Sequence, residues 1–335
     1  MKAAIYKGIN RIEIEEIDTP EMTTGTLVLK VDAVGVCGTD LKTYKRGHPF
    51  FQPPCILGHE VVGTVVRVND ASDGDLLGRT FAVPPYLGCG NCEFCKRGFS
   101  ELCKNKVWFN GAFAEYILVP VELIRKTMAE LDHGVNKVLA TLTEPLACAI
   151  HGVKRLSIQD GRKVLVVGAG PMGLMISMFL RDKGCEVTLS EVNKTRVVKA
   201  QALGFLTIDA NTVSLSEFSA RNGKFDHSVI ATESADIVQE VFNCVRPGGK
   251  VELFGGMPRS VKVHIDPYYV HYEEIDLIGS FGFSVQDFND AFGELKIRHE
   301  TYSKLITSQF TLDQIESAFE AAMRPENLKV IVSMH

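Results

Sequence analysis

The chain has one tryptophan in 335 residues, no low-complexity segment, no internal repeat and no long apolar run. Nothing approaches the ~18–20 uninterrupted apolar residues of a bilayer-spanning helix, so no membrane span is expected. Lysine and arginine form no cluster and the formal net charge is −5. Nucleic-acid binding leans on clustered positive charge, so no nucleic-acid partner is expected either. The opening MKAAIYKGINRIEIEEI alternates apolar and polar residues like a strand. It lacks the continuous apolar core and small-residue cleavage site of a signal peptide, which points to the cytoplasm.

A hydrophobic content of 45% with 23% charged residues is ordinary for a folded soluble chain. At roughly 150 residues per domain the length predicts two domains. Cysteine is well represented: there are nine. In a reducing compartment they read as thiols. Cys37, Cys55, Cys148, Cys185 and Cys244 are scattered, whereas Cys89, Cys92, Cys95 and Cys103 fall within fifteen residues.

The first 140 or so residues are β-like. LVLKVDAVGVCG (27–38), HEVVGTVVRV (59–68) and AEYILVPVEL (114–123) are short, rich in valine and isoleucine, and punctuated by glycine, proline and aspartate. They predict a mostly antiparallel, barrel-like domain. From about residue 150 the pattern alternates: strand 163–170, helix 171–184, strand 186–191, helix 194–204, strand 225–232, then helix, turn and strand over 235–256. Such alternation predicts an α/β domain with a parallel sheet and crossover helices. A helix (311–323) and a strand (329–334) end the chain, and pattern alone attaches them to neither domain.

Gly168-Ala169-Gly170-Pro171-Met172-Gly173 matches G-x-G-x-x-G between a predicted strand and a predicted helix. The first glycine permits the tight turn, the second admits a pyrophosphate, and the third lets helix and strand pack closely. The helix N-terminus then offers unpaired N–H groups to phosphate. Glu191 follows 23 residues after Gly168, at the end of the next predicted strand, where an acid binds the adenosine ribose. Its charge favours NAD over NADP, while Arg196 nearby is a residue that could accommodate a 2′-phosphate. Ser280 and Phe281, in the GSFGF loop after a late strand, are assigned to the coenzyme because such loops face the nicotinamide.

The run C-x-x-C-x-x-C-x7-C places four thiols on one loop. Zinc prefers four tetrahedral ligands, and a site closed by four thiolates is structural. An iron–sulfur cluster and a disulfide framework are the alternatives. Cys37 in GVCGTD, His59 and Glu60 in GHE, and Glu144 in TEPLA supply soft, intermediate and hard ligands. That set suits a second zinc with an exchangeable position. Neighbours on a regular strand point to opposite faces, so His59 and Glu60 share a metal only if the chain bends near Gly58. Pro145 is expected to hold Glu144 extended. Either glutamate could be the resting ligand. His48 and Trp108 could line a substrate cleft, but a lone aromatic more often packs, so they receive no role, and neither do His151 and His264.

In their order, GVCGTD, GHE, the four-cysteine loop, TEPLA and GAGPMG resemble the zinc-containing medium-chain dehydrogenases, and Glu144 resembles their polyol branch. The resemblance implies a GroES-like β-barrel catalytic domain (1–148 and 281–335) and a doubly wound Rossmann coenzyme domain (149–280). It implies two zinc ions per chain, one structural and one catalytic at Cys37, His59 and either or both of Glu60 and Glu144. It implies NAD as coenzyme and a homodimer or homotetramer. The expected reaction is hydride transfer between NAD(H) and a secondary alcohol, or its ketone, of a small polyol, cyclitol or amino alcohol. The lost proton would leave through Thr39, two residues after Cys37. Lys42 stands where many relatives carry the histidine that ends this relay, and Asp73 to Arg79 departs from the usual glycine-aspartate-arginine-valine signature. The rival functions are a zinc-free quinone or enoyl reductase and a non-catalytic NAD-binding sensor.

Overall fold

The opening alternation folds as two strands rather than one. β1 (Lys2–Gly8) and β2 (Arg11–Glu16) pair antiparallel, and Asn10 turns the chain at a φ of 57°, a left-handed conformation that asparagine tolerates. In the computed structural model, which describes residues 1–109, 111–132 and 136–334, the chain forms two compact units. Met1–Ala147 with Phe283–His335 make the first and Cys148–Gly282 the second.

The first unit is built on β3 (Thr26–Gly35), followed by β4 (Cys55–Ile56), β5 (Glu60–Val68), β6 (Thr80–Val83), β7 (Tyr86–Leu87), β8 (Val107–Trp108) and β9 (Tyr116–Pro120). The strand predicted over 27–38 stops at Gly35 because Cys37 caps the helix Gly38–Arg46. Asp40 accepts the Cys37 N–H in return, a reciprocal cap that starts a helix. The strand predicted over 114–123 ends at Pro120, which cannot donate to a ladder, and Val121–Arg125 coil as a short helix. Helix Thr143–Leu156 overturns the extended conformation expected for Glu144. Pro145 sits in its first turn, where an N–H would have no helical partner, so proline is tolerated there.

The second unit holds β10 (Lys163–Val167), β11 (Glu186–Glu191), β12 (Leu206–Asp209), β13 (Phe225–Ile230), β14 (Val245–Leu253) and β15 (Asp276–Gly279). They lie in the order β12-β11-β10-β13-β14-β15 and every neighbouring pair is parallel. This is the doubly wound order that reverses beside the first strand, where ligands of such sheets bind. β10 carries Val164 to Val167 in one buried apolar run, as a strand covered on both faces must. β12 and the helix Leu215–Asn222 were not anticipated: LTID is too short to show a period.

The tail supplies β16 (Ile306–Thr311) and β17 (Lys329–Ser333), which pair parallel. β17 then runs antiparallel to β3, with Ile331 opposite Gly35 and Ser333 opposite Ala33. The sheet order β16-β17-β3-β5-β6 therefore places the C-terminal segment in the first unit. Its core joins Leu29 and Val31 of β3 to Val61 and Val65 of β5, Phe113, Phe319, and Val330 and Val332 of β17. Among the described residues no helix is long and apolar enough to cross a membrane.

One close approach gives a test of the second unit. A Cβ added at Gly173 would overlap the carbonyl oxygen of Gly168. Gly173→Ala is therefore expected to cost about 1–3 kcal/mol and to lower the thermal midpoint; an unchanged midpoint would show that the helix retreats freely.

Candidate metal centre and dinucleotide turn

Cys37 leaves β3 and caps the helix behind it, so its thiol is held at a helix N-terminus. Asp40 is buried at 1% exposure and ties this loop to the next. Its Oδ2 accepts the Cys37 N–H at 2.9 Å, its Oδ1 accepts the Gly58 N–H at 3.2 Å, and Oδ1 stands 3.6 Å from His59 Nδ1. Gly58 has a φ of 94°, a left-handed bend just before β5. That bend resolves the alternation problem: His59 precedes the strand and Glu60 opens it.

Glu60 pairs in register with Gly35. A side chain at Gly35 would overlap Glu60 Oε2, so the glycine makes room for the carboxylate. Lys329, the first residue of β17, donates from Nζ to Glu60 Oε2 and to the Val36 carbonyl, the latter at 3.2 Å. Glu60 is 0% and Lys329 3% exposed. Glu60 Oε1 is buried and has no hydrogen bond.

Donor atoms of Cys37, His59 and Glu60 lie within 4.8 Å of one another. A thiol, an imidazole and a carboxylate oxygen left without a partner fit zinc with a fourth position open. Burial alone would push a proton off His59, but Cys37 and Asp40 outweigh it and hold the ring well above its ordinary range. Glu144, in the first turn of its helix, is not in this donor triplet. Burial raises its carboxyl to about 7, with Glu60 and Asp40 adding to the rise and His59 and Lys329 opposing it. Thr39 is half-buried in the helix after Cys37, and its carbonyl accepts the Thr43 hydroxyl at 2.8 Å. Lys42 is half-buried three residues further on.

Cys89, Cys92, Cys95 and Cys103 also form one group of converging donors. The Cys92 Sγ lies 3.5 Å from that of Cys95 and 3.7 Å from that of Cys103. A tetrahedron with Zn–S of ~2.3 Å has edges of about 3.8 Å, whereas a disulfide needs ~2.05 Å. Backbone N–H groups of Cys89 and Asn105 point at the Cys103 sulfur, and those of Asn91 and Cys92 pull the Cys89 thiol down to about 6. Among the described residues all the cysteines are free thiols.

In the second unit Gly168 turns the chain after β10 with a φ of 101°. Gly170 caps the helix Pro171–Asp182, with Pro171 at its first position, then Met172 and Gly173. Glu191 ends β11 and is buried. Its Oε2 accepts the Ala169 N–H at 2.7 Å, and its Oε1 accepts those of Val192 and Asn193 at 2.9 and 2.8 Å. Arg196 comes to the same turn, its Nη1 3.6 Å from where a Cβ on Gly170 would stand. Ser280 and Phe281 follow β15; Phe281 is 63% exposed, and Ser280 donates to Glu252 at 2.6 Å. Trp108 is exposed on β8 and His48 packs against Phe50 and Phe51.

Sequence reasoning missed Lys329, Asp40 and Gly35. Asp40 lies inside the GVCGTD motif and its spacing from Cys37 matches a capping box. Lys329 gives no such signal, because a lone lysine ahead of an apolar strand looks like a solvated strand end.

Residues 23–128 match the family described as Alcohol dehydrogenase GroES-like domain, and residues 139–334 match Glucose dehydrogenase C-terminus. The chain is similar to Sorbitol dehydrogenase of Bacillus subtilis (strain 168), 29% identical over 99% of this chain and 97% of that protein. It is 31% identical to L-galactonate-5-dehydrogenase of Escherichia coli (strain K12), over 78% of this chain and 77% of the relative. A zinc-binding dehydrogenase from Sinorhizobium meliloti 1021, solved with NADP bound, superposes with a TM-score of 0.88 at 28% identity, covering 99% of this chain and 98% of the other. With both the barrel-like and the doubly wound unit matched along the chain, the protein belongs to the zinc-type medium-chain alcohol dehydrogenase family.

Proposed function

We propose that this chain oxidises a secondary alcohol of a small polyol, cyclitol or amino alcohol, or reduces the matching ketone, with NAD(H) as the hydride partner. The observation that carries the proposal is the donor triplet Cys37, His59 and Glu60, with one buried carboxylate oxygen left unsatisfied. The first unit is then the catalytic domain and the second the coenzyme domain.

Bound at the triplet, zinc supplies Lewis-acid charge that makes an alcohol proton easier to lose, and the nicotinamide supplies the hydride carrier. Asp40 keeps Cys37 and His59 in place, and Lys329 holds Glu60 by one oxygen so that the other is presented. Thr39 is assigned the proton, through a hydroxyl that both accepts and donates, with Lys42 or water beyond it. Glu144 stands beside the triplet as the second carboxylate that could exchange onto the metal. The four cysteines would hold the structural zinc. At the coenzyme end the 168–173 turn takes the pyrophosphate, Glu191 and Arg196 the adenosine ribose, and Ser280 and Phe281 the nicotinamide end.

The substrate class is supported by the relatives, whose names specify sorbitol and L-galactonate. A homodimer or homotetramer is supported by β15, an edge strand with Tyr268, Val270, Tyr272 and Leu277 exposed nearby, since open edges and apolar patches mark association sites. A cytoplasmic location completes the proposal.

Purified protein is expected to contain about two zinc ions per chain, falling to about one in Cys37→Ala with the fold retained. One zinc in both proteins would leave the triplet without a metal and the mechanism without its main support. Thr39→Ala should lower turnover on a polyol panel by about tenfold or more at unchanged zinc content, and unchanged turnover would remove Thr39 from the relay. Lys329→Met strands Glu60 as a lone buried anion and should cost about 3 kcal/mol, measured as a lower urea midpoint; an equal midpoint would show that the pair stabilises nothing.

A further inference from the structure

A second buried carboxylate lies in the coenzyme unit, away from the turn and the strand-end acid. Glu252 is in β14, flanked in register by Val229 of β13 and Ile278 of β15, and is 0% exposed. Its Oε1 accepts the Ser280 hydroxyl at 2.6 Å, while its Oε2 is buried without a hydrogen bond. Helix Thr143–Leu156 presents Gly152 to it, and a Cβ there would come within 2.7 Å of Oε1. Burial raises the carboxyl above its ordinary range; the Ser280 hydrogen bond and the nearby charges of His151 and Arg155 draw it back.

A buried acid is expensive to leave in a sheet, and a branched apolar residue would suit this central position better. What Glu252 adds is a fixed acceptor beneath the residue that follows the end of β15. Ser280 has one hydroxyl proton, and it is committed inward. Its side chain is thereby locked, and the only outward capacity left on its oxygen is as an acceptor. Phe281, next in the chain, is 63% exposed, so the loop presents an ordered serine beside a solvent-facing aromatic.

We infer that Glu252 is a positioning residue for coenzyme binding, which acts by holding Ser280 and through it the 280–281 loop. The inference rests on the assignment of that loop to the coenzyme. Ligand loops at the carboxyl ends of parallel strands need such support, because a site loses affinity when its loop must be ordered on binding.

The test titrates zinc-loaded protein with NADH and follows coenzyme fluorescence, for wild type, Glu252→Leu, Glu252→Gln, Ser280→Ala and the Glu252→Leu/Ser280→Ala double variant. Glu252→Leu and Ser280→Ala should each raise the Kd about tenfold, and the double variant should match the singles, because both remove one interaction. Glu252→Gln keeps an acceptor oxygen and should stay within about twofold of wild type. Wild-type affinity in Glu252→Leu, additive losses in the double variant, or a glutamine variant as weak as the leucine one would each overturn the inference. Thermal melts identify a leucine variant that does not fold, in which case Ser280→Ala and Glu252→Gln decide. Failure of the wild type itself to bind NADH would instead overturn the coenzyme assignment, and this inference with it.

Discussion

The candidate metal centre depends on one ion pair, between Glu60 and Lys329, made across 269 residues of chain. Both side chains are taken fully out of water, and the desolvation of such a pair can exceed its mutual attraction. A pair of this kind is weak evidence for stability and better evidence for a geometric requirement. Here the requirement is visible. Lys329 also donates to the carbonyl of Val36, the residue before Cys37, so one ammonium fixes the approach to the thiol and one oxygen of the carboxylate. It can do so only because β17 returns to lie against β3. The C-terminal strand is thus part of the candidate metal centre.

Asp40 does on the other side what Lys329 does on this one. Its two oxygens reach the backbone at Cys37 and at Gly58, and one of them faces the His59 ring. The three donors are therefore placed by groups that are not donors, and each of those groups is buried. This arrangement keeps rotamers from wandering, which a site needs when its ligands come from separate segments. Glycine contributes by absence: Gly35 leaves the volume that the Glu60 carboxylate fills.

What was legible in the sequence was local. The cysteine spacing, the glycine turn with its strand-end acid, and the β11 and β17 segments are encoded within a few residues of themselves, and the structure places them there. What was not legible depended on distant chain. Nothing in KVIVSM marks Lys329 as an interior residue, because its partner enters more than 250 residues earlier. Glu144 was expected to be extended from its proline neighbour, but a proline in a first helical turn reads the same as one in a loop. The end of β9 was misjudged for a similar reason: alternation continues past Pro120, yet the ladder cannot. Short pieces such as β4, β7 and β8 have two residues each, too few for any period to appear.

Glu191, proposed for the adenosine ribose, serves the fold as well. Three backbone N–H groups end on its carboxylate, so it braces the glycine turn against β11 whether or not a dinucleotide is present. An oxygen already bearing two hydrogen bonds has little left to offer, whereas Oε2 bears one. Under the proposed assignment a ribose hydroxyl would find its free capacity at Oε2, the oxygen that also accepts the Ala169 N–H. Arg196 reaches the same turn at Gly170, with a buried Nε that has no hydrogen bond. The turn thus carries an anion committed to the backbone and a cation with one nitrogen unsatisfied. In the proposed coenzyme reading, preference between ribose and phosphorylated ribose would turn on Arg196, because three backbone N–H groups already hold Glu191 to the turn.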